Sequence, residues 1–353
     1  MSKRIVVKIG SSSVTRADGG VDHDVLASVA ADVAHLRQRG TGVIVVTSGA
    51  ITAGWAEVGK GAKRPHDARV LQAVSAVGQP LLMDAWRSAF AVHGVSVGQV
   101  LLAPLDFSHR GQYLHARGTI EALETLGVVP IINENDAVAD EEIRFGDNDR
   151  LAALVANLIG ASDLVLLTDT AGLLTADPRL DPDASLIEEV HAIDSELEAV
   201  AGVSGSAVGS GGMASKLAAA RIATWSGVRT VIAAAREKTP LVSAMDENVV
   251  FGTTFLPRAE RLSARKAWIA FAVASRGRLE VNAGAARALS HDGRSLLRVG
   301  VESHAGVFVE GDAVDIVSNG VVLAKGLVRS SAEGFDDGDE VAVHRDDLVL
   351  FAE

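Results

Sequence analysis

The chain has 353 residues, of which 48% are hydrophobic and 22% charged, so it has the composition of a folded protein and the length of two domains. A net charge of −12 argues against general affinity for nucleic acid or anionic lipid, and zero cysteines exclude disulfides and cysteine-ligated zinc. No apolar run approaches the roughly 20 residues of a membrane span, and Lys8 ends the N-terminal run too early for a signal peptide. We therefore expect a soluble, cytoplasmic protein in which any anion-binding site is local.

Through residue 256, short runs of valine, isoleucine and leucine alternate with longer segments of helical periodicity. The runs predicted as strands are Ile5–Ile9, Val43–Thr47, Val97–Leu102, Val128–Ile132, Leu164–Thr168 and Thr230–Ala233. The predicted helices are Val25–Arg39, Arg69–His93, Tyr113–Leu126, Asp149–Ile159 and Met213–Trp225. Nearly continuous apolar strands between helices indicate an α/β fold, with helices on both faces of a mainly parallel sheet. In such a three-layer sandwich, ligands bind beyond the carboxyl ends of the strands.

The pattern changes after residue 256. Pro257–Ala267 is charged and contains few apolar residues, which predicts the start of a linker. Short strands with tight connections follow, at Leu279–Val281, Val307–Val309, Val314–Val317, Val321–Leu323 and Glu340–Val343. Asn319-Gly320 is a hairpin turn signal between two of them. We predict an α/β domain over 1–256, a linker over 257–275 and a small β-barrel domain over 276–353.

Polar residues collect where the predicted strands of the first domain end. The groups are Lys8-Ile9-Gly10, Thr47-Ser48-Gly49, Asn133-Glu134-Asn135-Asp136, Asn148-Asp149 and Thr168-Asp169. A parallel sheet brings these ends to one edge. Lysine, carboxylates and glycine amides gathered there suit a nucleotide and a small polar acceptor.

Each of these groups also has a purely structural interpretation. Lys8 could be the charge of an edge strand, although a buried strand would desolvate it without a partner. Ser48 could cap a helix, and Asp136, Asn148 and Asp149 could be turn or cap residues. Their convergence, and not any one of them, favours a functional site.

A glycine- and serine-rich loop leads into the helix predicted to begin at Met213. Its last residues, Gly209-Ser210-Gly211-Gly212, allow backbone N–H groups to surround an anion, and the helix N-terminus adds unpaired donors. Lys216 lies one turn inside this helix, and its side chain leans back toward the N-terminus. The alternative is a solvated linker.

Other motifs are incomplete. Gly54–Lys60 nearly matches a P-loop, but Gly61 stands where a serine or threonine is needed and no strand precedes it. The ten histidines show no spacing typical of metal ligands, and there is no Gly-x-Ser-x-Gly motif. We therefore predict no metal ligands from the protein and no serine hydrolase chemistry.

The motifs, taken in order, resemble those of the amino-acid kinase family, and the stretch from Arg276 onward resembles a PUA domain. They are Lys8–Ser11, Val46–Ala50, Ile132–Asp136, Gly146–Asp149, Leu167–Asp169 and Gly211–Lys216. The resemblance covers almost the whole chain and is strongest to the members that act on glutamate. It implies ATP-dependent phosphorylation of the γ-carboxylate of L-glutamate to γ-glutamyl phosphate, the first step of proline synthesis.

The resemblance also implies roles for individual residues. Lys8 and Lys216 would flank the transferred phosphoryl group, with Asp149 orienting both. The positions that match glutamate-binding residues are Ser48, Asp136 and Asn148. The positions that match ATP-binding residues are Lys8, Thr168, Asp169, Ser210, Gly211, Gly212, Met213, Ala214, Ser215 and Lys216. Mg²⁺ would arrive with ATP and be held mainly by its phosphates.

The resemblance further implies a homo-oligomer, a tetramer in the family, and handover of the acyl phosphate to glutamyl phosphate reductase. Binding of RNA is not expected, because residues 276–353 contain 8 basic and 14 acidic side chains. Two features depart from the family pattern: Ala214-Ser215 precedes Lys216, and the acidic stretch 330–340 is short. The alternatives are a kinase of acetylglutamate, aspartate or a nucleoside monophosphate, and a non-catalytic nucleotide-binding or RNA-associated protein.

Overall fold

The structure is a computed structural model that describes residues 3–59, 63–138, 148–176, 181, 183–194, 197–198, 212–335 and 340–351. The chain divides into two compact units, residues 1–261 and 262–353. The strands of the first unit are β1 (Arg4–Ile9), β2 (Gly42–Val46), β3 (Val97–Leu102), β4 (Val129–Glu134), β5 (Asp163–Thr168), β6 (Glu189–Val190), β7 (Arg229–Ala234) and β8 (Thr253–Phe255). Its helices are α1 (Ser11–Val14), α2 (His23–Gln38), α3 (Ala50–Val58), α4 (Ala68–Ala91), α5 (Pro104–Ser108), α6 (Arg110–Thr125), α7 (Asn148–Ile159), α8 (Met213–Trp225) and α9 (Pro240–Met245).

The eight strands form one sheet in the order β3-β4-β2-β1-β5-β7-β8-β6. Neighbouring strands run parallel, except that β8 is antiparallel to β7. The predicted α/β class with a mainly parallel sheet is therefore confirmed. Strand β1 lies near the middle of the sheet, so the interpretation of Lys8 as the charge of an edge strand is wrong.

Side chains of β1 point alternately to the two faces of the sheet, and each face is covered by a layer of helices. Ile5, Val7 and Ile9 belong to a core that also contains residues of α2, α4 and α9. Successive side chains of a strand point to opposite faces, so Val6 and Lys8 point the other way. On that side β1 packs against α7, which packs in turn against α6 and α8. This is the three-layer arrangement that the sequence predicts.

Helices α3 and α4 cross at very close range. A Cβ atom on Gly54 would lie 2.1 Å from the carbonyl oxygen of Val74, and one on Gly78 would lie 1.7 Å from that of Ala50. Only glycine permits this approach, which fixes α4 beside the start of α3. Among the described residues, no helix combines the length and the apolar character needed to cross a membrane.

The second unit contains one six-stranded sheet. Its elements are α10 (Ala264–Ala267), β9 (Gly277–Val281), α11 (Ala283–Asp292), β10 (Leu296–Leu297), β11 (Val301–Gly306), β12 (Ala313–Ser318), β13 (Val321–Val328) and β14 (Val341–Leu350). The strand order is β10-β14-β13-β12-β9-β11. The predicted hairpin turn is confirmed, since Asn319 and Gly320 have φ angles of 52° and 77° between β12 and β13.

Two features of the second unit differ from the prediction. Residues 307–309 form no strand, because the chain leaves β11 at Gly306, whose φ is +105°, and only Phe308 of the three is buried. Residues 257–275, predicted as a linker, include α10 and a π-helical turn at Trp268–Ala272. Ile269 in that turn is fully buried, so packed structure begins before Arg276.

Candidate active site

Lys8 lies in the middle of the sheet and is nearly inaccessible to solvent. Its side chain is 5% exposed and points toward α7, where its Nζ lies 2.6 Å from Oδ1 of Asp149, which is 0% exposed. The next residue but one, Gly10, has no side chain, and a Cβ built there would lie 3.7 Å from Nζ of Lys8. The glycine therefore leaves space beside the ammonium group at the carboxyl end of β1.

A second lysine contacts the other oxygen of the same carboxylate. Nζ of Lys216 lies 3.1 Å from Oδ2 of Asp149, and its side chain is 6% exposed. Ser215 also donates a hydrogen bond to Oδ2, at 3.0 Å. Asp149 is in the first turn of α7 and Lys216 in the first turn of α8, and these two helices pack together. We call Lys8, Asp149 and Lys216 the lysine centre.

The lysine centre has a surplus of positive charge. Two ammonium groups face one carboxylate, and the N-terminal ends of α7 and α8 add their positive dipole ends. Burial alone would raise the pKa of Asp149, but Lys8 and Lys216 outweigh it and hold this pKa below its ordinary value. The carboxylate stays ionised, and the net charge of the centre favours an anion.

Ser48 and Asn148 form a hydrogen bond next to the lysine centre. Asn148 donates a hydrogen bond of 2.9 Å to Oγ of Ser48. Its own side-chain oxygen accepts from the backbone N–H of Glu134, at 3.3 Å, at the end of β4. The N-cap of α3 is Gly49, with φ of +105°, and not Ser48. The hydroxyl of Ser48 is thus positioned by Asn148, one residue before Asp149.

Asp136 follows β4 and begins a short 3₁₀ turn, Asp136–Val138. Its Oδ2 accepts a hydrogen bond of 2.8 Å from the hydroxyl of Ser75 on α4. Burial raises the pKa of Asp136, while the Ser75 hydrogen bond and the positive charge of Arg64 act against this rise. We call Ser48, Asn148 and Asp136 the acceptor residues, because the sequence predicts that they bind the substrate that accepts the phosphoryl group.

Thr168 and Asp169 lie at the end of β5, next to β1. The backbone N–H of Gly10 donates to the carbonyl oxygen of Leu167, at 3.2 Å, and this brings the ends of the two strands together. The Thr168 hydroxyl donates to Oδ1 of Asp169 at 3.0 Å. Thr168 is buried and Asp169 is exposed, so the pair lies where the end of β5 reaches the protein surface.

The loop before α8 is only partly described. Ser210 and Gly211, predicted to bind ATP, lie outside the described residues. Gly212 is the N-cap of α8, and the helix begins at Met213, followed by Ala214. Among the described residues, no three acidic or histidine side chains form a cluster that could hold a metal ion.

Sequence reasoning missed the residues that support the site from α4. Ser75 contacts Asp136, and the Trp86 indole donates a hydrogen bond of 3.1 Å to the Thr47 hydroxyl, beside Ser48. Gln79 belongs to the same helix. The available signal was a pair of polar residues, Ser75 and Gln79, one turn apart within the buried face of an amphipathic helix.

Comparisons with known proteins show which family the chain belongs to. The chain is 46% identical to "Glutamate 5-kinase" of Burkholderia mallei (strain SAVP1), over 99% of this chain and 98% of that protein. It is 45% identical, over the same shares, to "Glutamate 5-kinase" of Burkholderia thailandensis. A solved structure of isopentenyl phosphate kinase is 19% identical with a TM-score of 0.49, covering 71% of this chain and 99% of that one. A PUA domain profile matches residues 277–335. The profile of the amino acid kinase family matches residues 3–234, and the chain belongs to that family.

Proposed function

We propose that this protein transfers the γ-phosphoryl group of ATP to the γ-carboxylate of L-glutamate, giving γ-glutamyl phosphate and ADP. The reaction opens proline synthesis. The observation that carries the proposal is the lysine centre: two buried ammonium groups on one carboxylate, at the ligand-binding edge of a parallel sheet. The relatives at 45–46% identity bear the name of the same activity.

The chemistry needs cations more than it needs a base. A carboxylate is already a nucleophile, and the obstacle is the approach of one anion to another. In the proposed reaction Lys8 and Lys216 lie on either side of the phosphoryl group and stabilise charge that spreads over its oxygens. Asp149 holds both ammonium groups in position and takes no proton during the transfer.

The acceptor residues supply the opposite polarity. Asp136 is a half-buried carboxylate suited to the α-ammonium group of glutamate, and Ser48 and Asn148 offer a hydroxyl and an amide for its polar atoms. Asn148 adjoins Asp149 in the chain, so the acceptor lies next to the lysine centre. This geometry favours a small amino acid with a second carboxylate.

The nucleotide side consists of Thr168, Asp169 and the start of α8 from Gly212 onward. Mg²⁺ bound to ATP would neutralise part of the phosphate charge. Both oxygens of Asp149 already face lysines, so we propose that the phosphates and water hold most of the metal's coordination sphere. Ser210 and Gly211 stay predictions for this side.

The test measures ADP release by the purified protein with ATP, Mg²⁺ and a panel of acids: glutamate, N-acetylglutamate, aspartate and a nucleoside monophosphate. Hydroxylamine added to the assay traps an acyl phosphate as its hydroxamate. We expect turnover with glutamate and formation of γ-glutamyl hydroxamate. Turnover with another acid and none with glutamate would assign the chain to a different acceptor.

The runner-up is a protein that binds nucleotide without catalysis. It predicts binding of ATP and no ADP release with any acid of the panel. The presence of Lys8, Asp149 and Lys216 together argues against it, because a protein without catalysis has no use for two cations on either side of a transferred phosphoryl group. Lys216→Ala is the matching variant: we expect a loss of turnover far larger than its loss of stability.

Partners beyond the substrates remain part of the proposal. We expect a homo-oligomer and handover of the short-lived acyl phosphate to glutamyl phosphate reductase. We expect no RNA complex, because residues 276–353 carry 8 basic and 14 acidic side chains and would repel a phosphate backbone. A salt-sensitive complex with RNA at physiological ionic strength would contradict this expectation.

A further inference from the structure

The polar residues of α4 form a wall against the acceptor side of the site. Ser75 is 1% exposed and Gln79 is 8% exposed, although both are polar. They lie four residues apart, so they share one face of the helix. Helix α4 packs against the Asp136–Val138 turn on this side. Two buried polar groups on a face that is otherwise apolar need partners, and their partners lie around Asp136.

Ser75 acts on the carboxylate itself. Its hydroxyl donates to Oδ2 of Asp136 at 2.8 Å, which fixes the rotation of the carboxylate and stabilises its charged form. Asp136 needs this support because burial raises its pKa. Among the described residues, the positive charge of Arg64 also acts to lower the pKa of Asp136. Arg64 is exposed and precedes α4 in the chain.

Gln79 acts on the backbone that leads to Asp136. Its side-chain amide lies 3.5 Å from the carbonyl oxygen of Glu134, two residues before Asp136. Gln99 on β3 donates to the side-chain oxygen of Gln79 at 3.2 Å and orients it. The close crossing at Gly54 and Gly78 fixes the position of α4 beside α3.

We propose that Ser75 is a positioning residue for the acceptor: it holds Oδ2 of Asp136 so that Oδ1 receives the ammonium group of the amino acid, with Gln79 supporting the same corner. The inference rests on the proposed function for the identity of the acceptor. It assigns a role in substrate recognition to a helix that contributes no residue to the lysine centre.

The kinetic test compares Ser75→Ala with Ser88→Ala, an exposed serine on the same helix. We expect Ser75→Ala to raise KM for glutamate about threefold to tenfold, the equivalent of one typical intramolecular hydrogen bond, with kcat and KM for ATP nearly unchanged. Ser88→Ala should match the wild type. An equal rise of KM for both substrates in Ser75→Ala would indicate a structural defect and overturn the proposal.

A pH profile and a second background separate positioning from packing. Without the Ser75 hydroxyl the pKa of Asp136 rises further, so the acid limb of kcat/KM for glutamate moves to higher pH. In an Asp136→Asn background, Ser75→Ala should add little to the rise in KM, because its target carboxylate is absent. Additive effects would show that Ser75 does not act through Asp136.

One measurement does not depend on turnover. Titration of the Asp136 carboxyl by ¹³C NMR, assigned with Asp136→Asn, should give a higher pKa in Ser75→Ala than in wild type or Ser88→Ala. An unchanged pKa overturns the inference even if the enzyme phosphorylates glutamate. If the wild type shows no glutamate-dependent turnover, the proposed function fails, while the NMR titration still decides whether Ser75 controls Asp136.

Discussion

Replacing Asp149 by asparagine tests the lysine centre most directly. The substitution keeps the shape of the side chain and removes the charge that Lys8 and Lys216 share, at 2.6 Å and 3.1 Å. Both lysine side chains are at most 6% exposed, so water cannot replace the lost partner. Removing one member of a buried ion pair costs about 3–5 kcal/mol, and we expect a loss of unfolding free energy in this range.

The chain provides a matched control in Asp84→Asn. Asp84 pairs with Arg87 at 2.6 Å, the same separation as Lys8 and Asp149, but its side chain is 67% exposed and that of Arg87 is 71% exposed. Exposed pairs contribute about 0–1 kcal/mol. The control therefore removes a carboxylate whose ion pair has the same length but is exposed, and which has one partner where Asp149 has two. The assay is denaturant unfolding of the wild type and both variants, followed by the fluorescence of the four tryptophans, which include the buried Trp86.

The difference in unfolding free energy between the wild type and Asp149→Asn should depend on pH, and the direction of the Asp149 pKa shift tells how. The lysines lower the pKa of Asp149 in the folded state, so its stabilisation is complete above its unfolded pKa of about 3.9. It is lost as the pH falls through the lower, folded pKa. The gap between wild type and Asp149→Asn should therefore be constant from neutral pH to about pH 4 and shrink below it. A variant as stable as Asp84→Asn at pH 7, with wild-type turnover, would refute the role of the lysine centre.

Three further substitutions have defined expectations, and the last of them is paired with a control substitution. Burial raises the folded pKa of Asp136, so the ionised carboxylate costs stability above that pKa. At pH 7, Asp136→Asn should therefore raise the unfolding free energy of the substrate-free protein by about 0.5–1 kcal/mol. The same variant should raise KM for glutamate. Asp32→Ala should cost about 2–3 kcal/mol in chemical denaturation, because Oδ2 of this buried residue accepts from two backbone N–H groups at the start of α9, at 2.8 and 3.3 Å. Gly78→Ala should prevent folding or lower the thermal midpoint strongly, since its Cβ would lie 1.7 Å from a carbonyl oxygen of α3, whereas Gly111→Ala, with nothing within 4 Å, should be neutral or stabilising by calorimetry.

The sequence indicates which two lysines belong to the lysine centre, but it does not indicate which side chains they contact. Lys8 was recognisable because a charge inside a strand of Val and Ile needs a reason, and Lys216 because it follows a glycine loop at a helix start. Their joint contact with Asp149, 67 residues before Lys216, depends on the packing of α7 on α8 and has no local signature. The resemblance to a family supplied the assignment of Asp149 that periodicity could not.

Errors arose where short patterns competed with backbone geometry. Residues 307–309 alternate between exposed and buried side chains as a strand would, but the positive φ of Gly306 ends β11 just before them. Helix α11 was missed although Asn282 caps its first turn and Gly293 ends it in the left-handed region. These cap signals are present in the sequence, but the short strands predicted on either side of them indicate an all-β module.

The two carboxylates of the site show how it is polarised. Asp149 has a lowered pKa because cations surround it, and Asp136 has a raised pKa because burial outweighs its weak support. Without substrates, the lysine centre therefore has positive charge in excess and the acceptor side has a negative charge that burial disfavours. The proposed substrates carry the complementary charges, phosphate for the lysines and ammonium for Asp136. Binding each one would relieve an electrostatic cost in the free protein. The proposed function therefore predicts the direction in which the amino acid lies, with its ammonium toward Asp136 and its side-chain carboxylate toward Lys8 and Lys216.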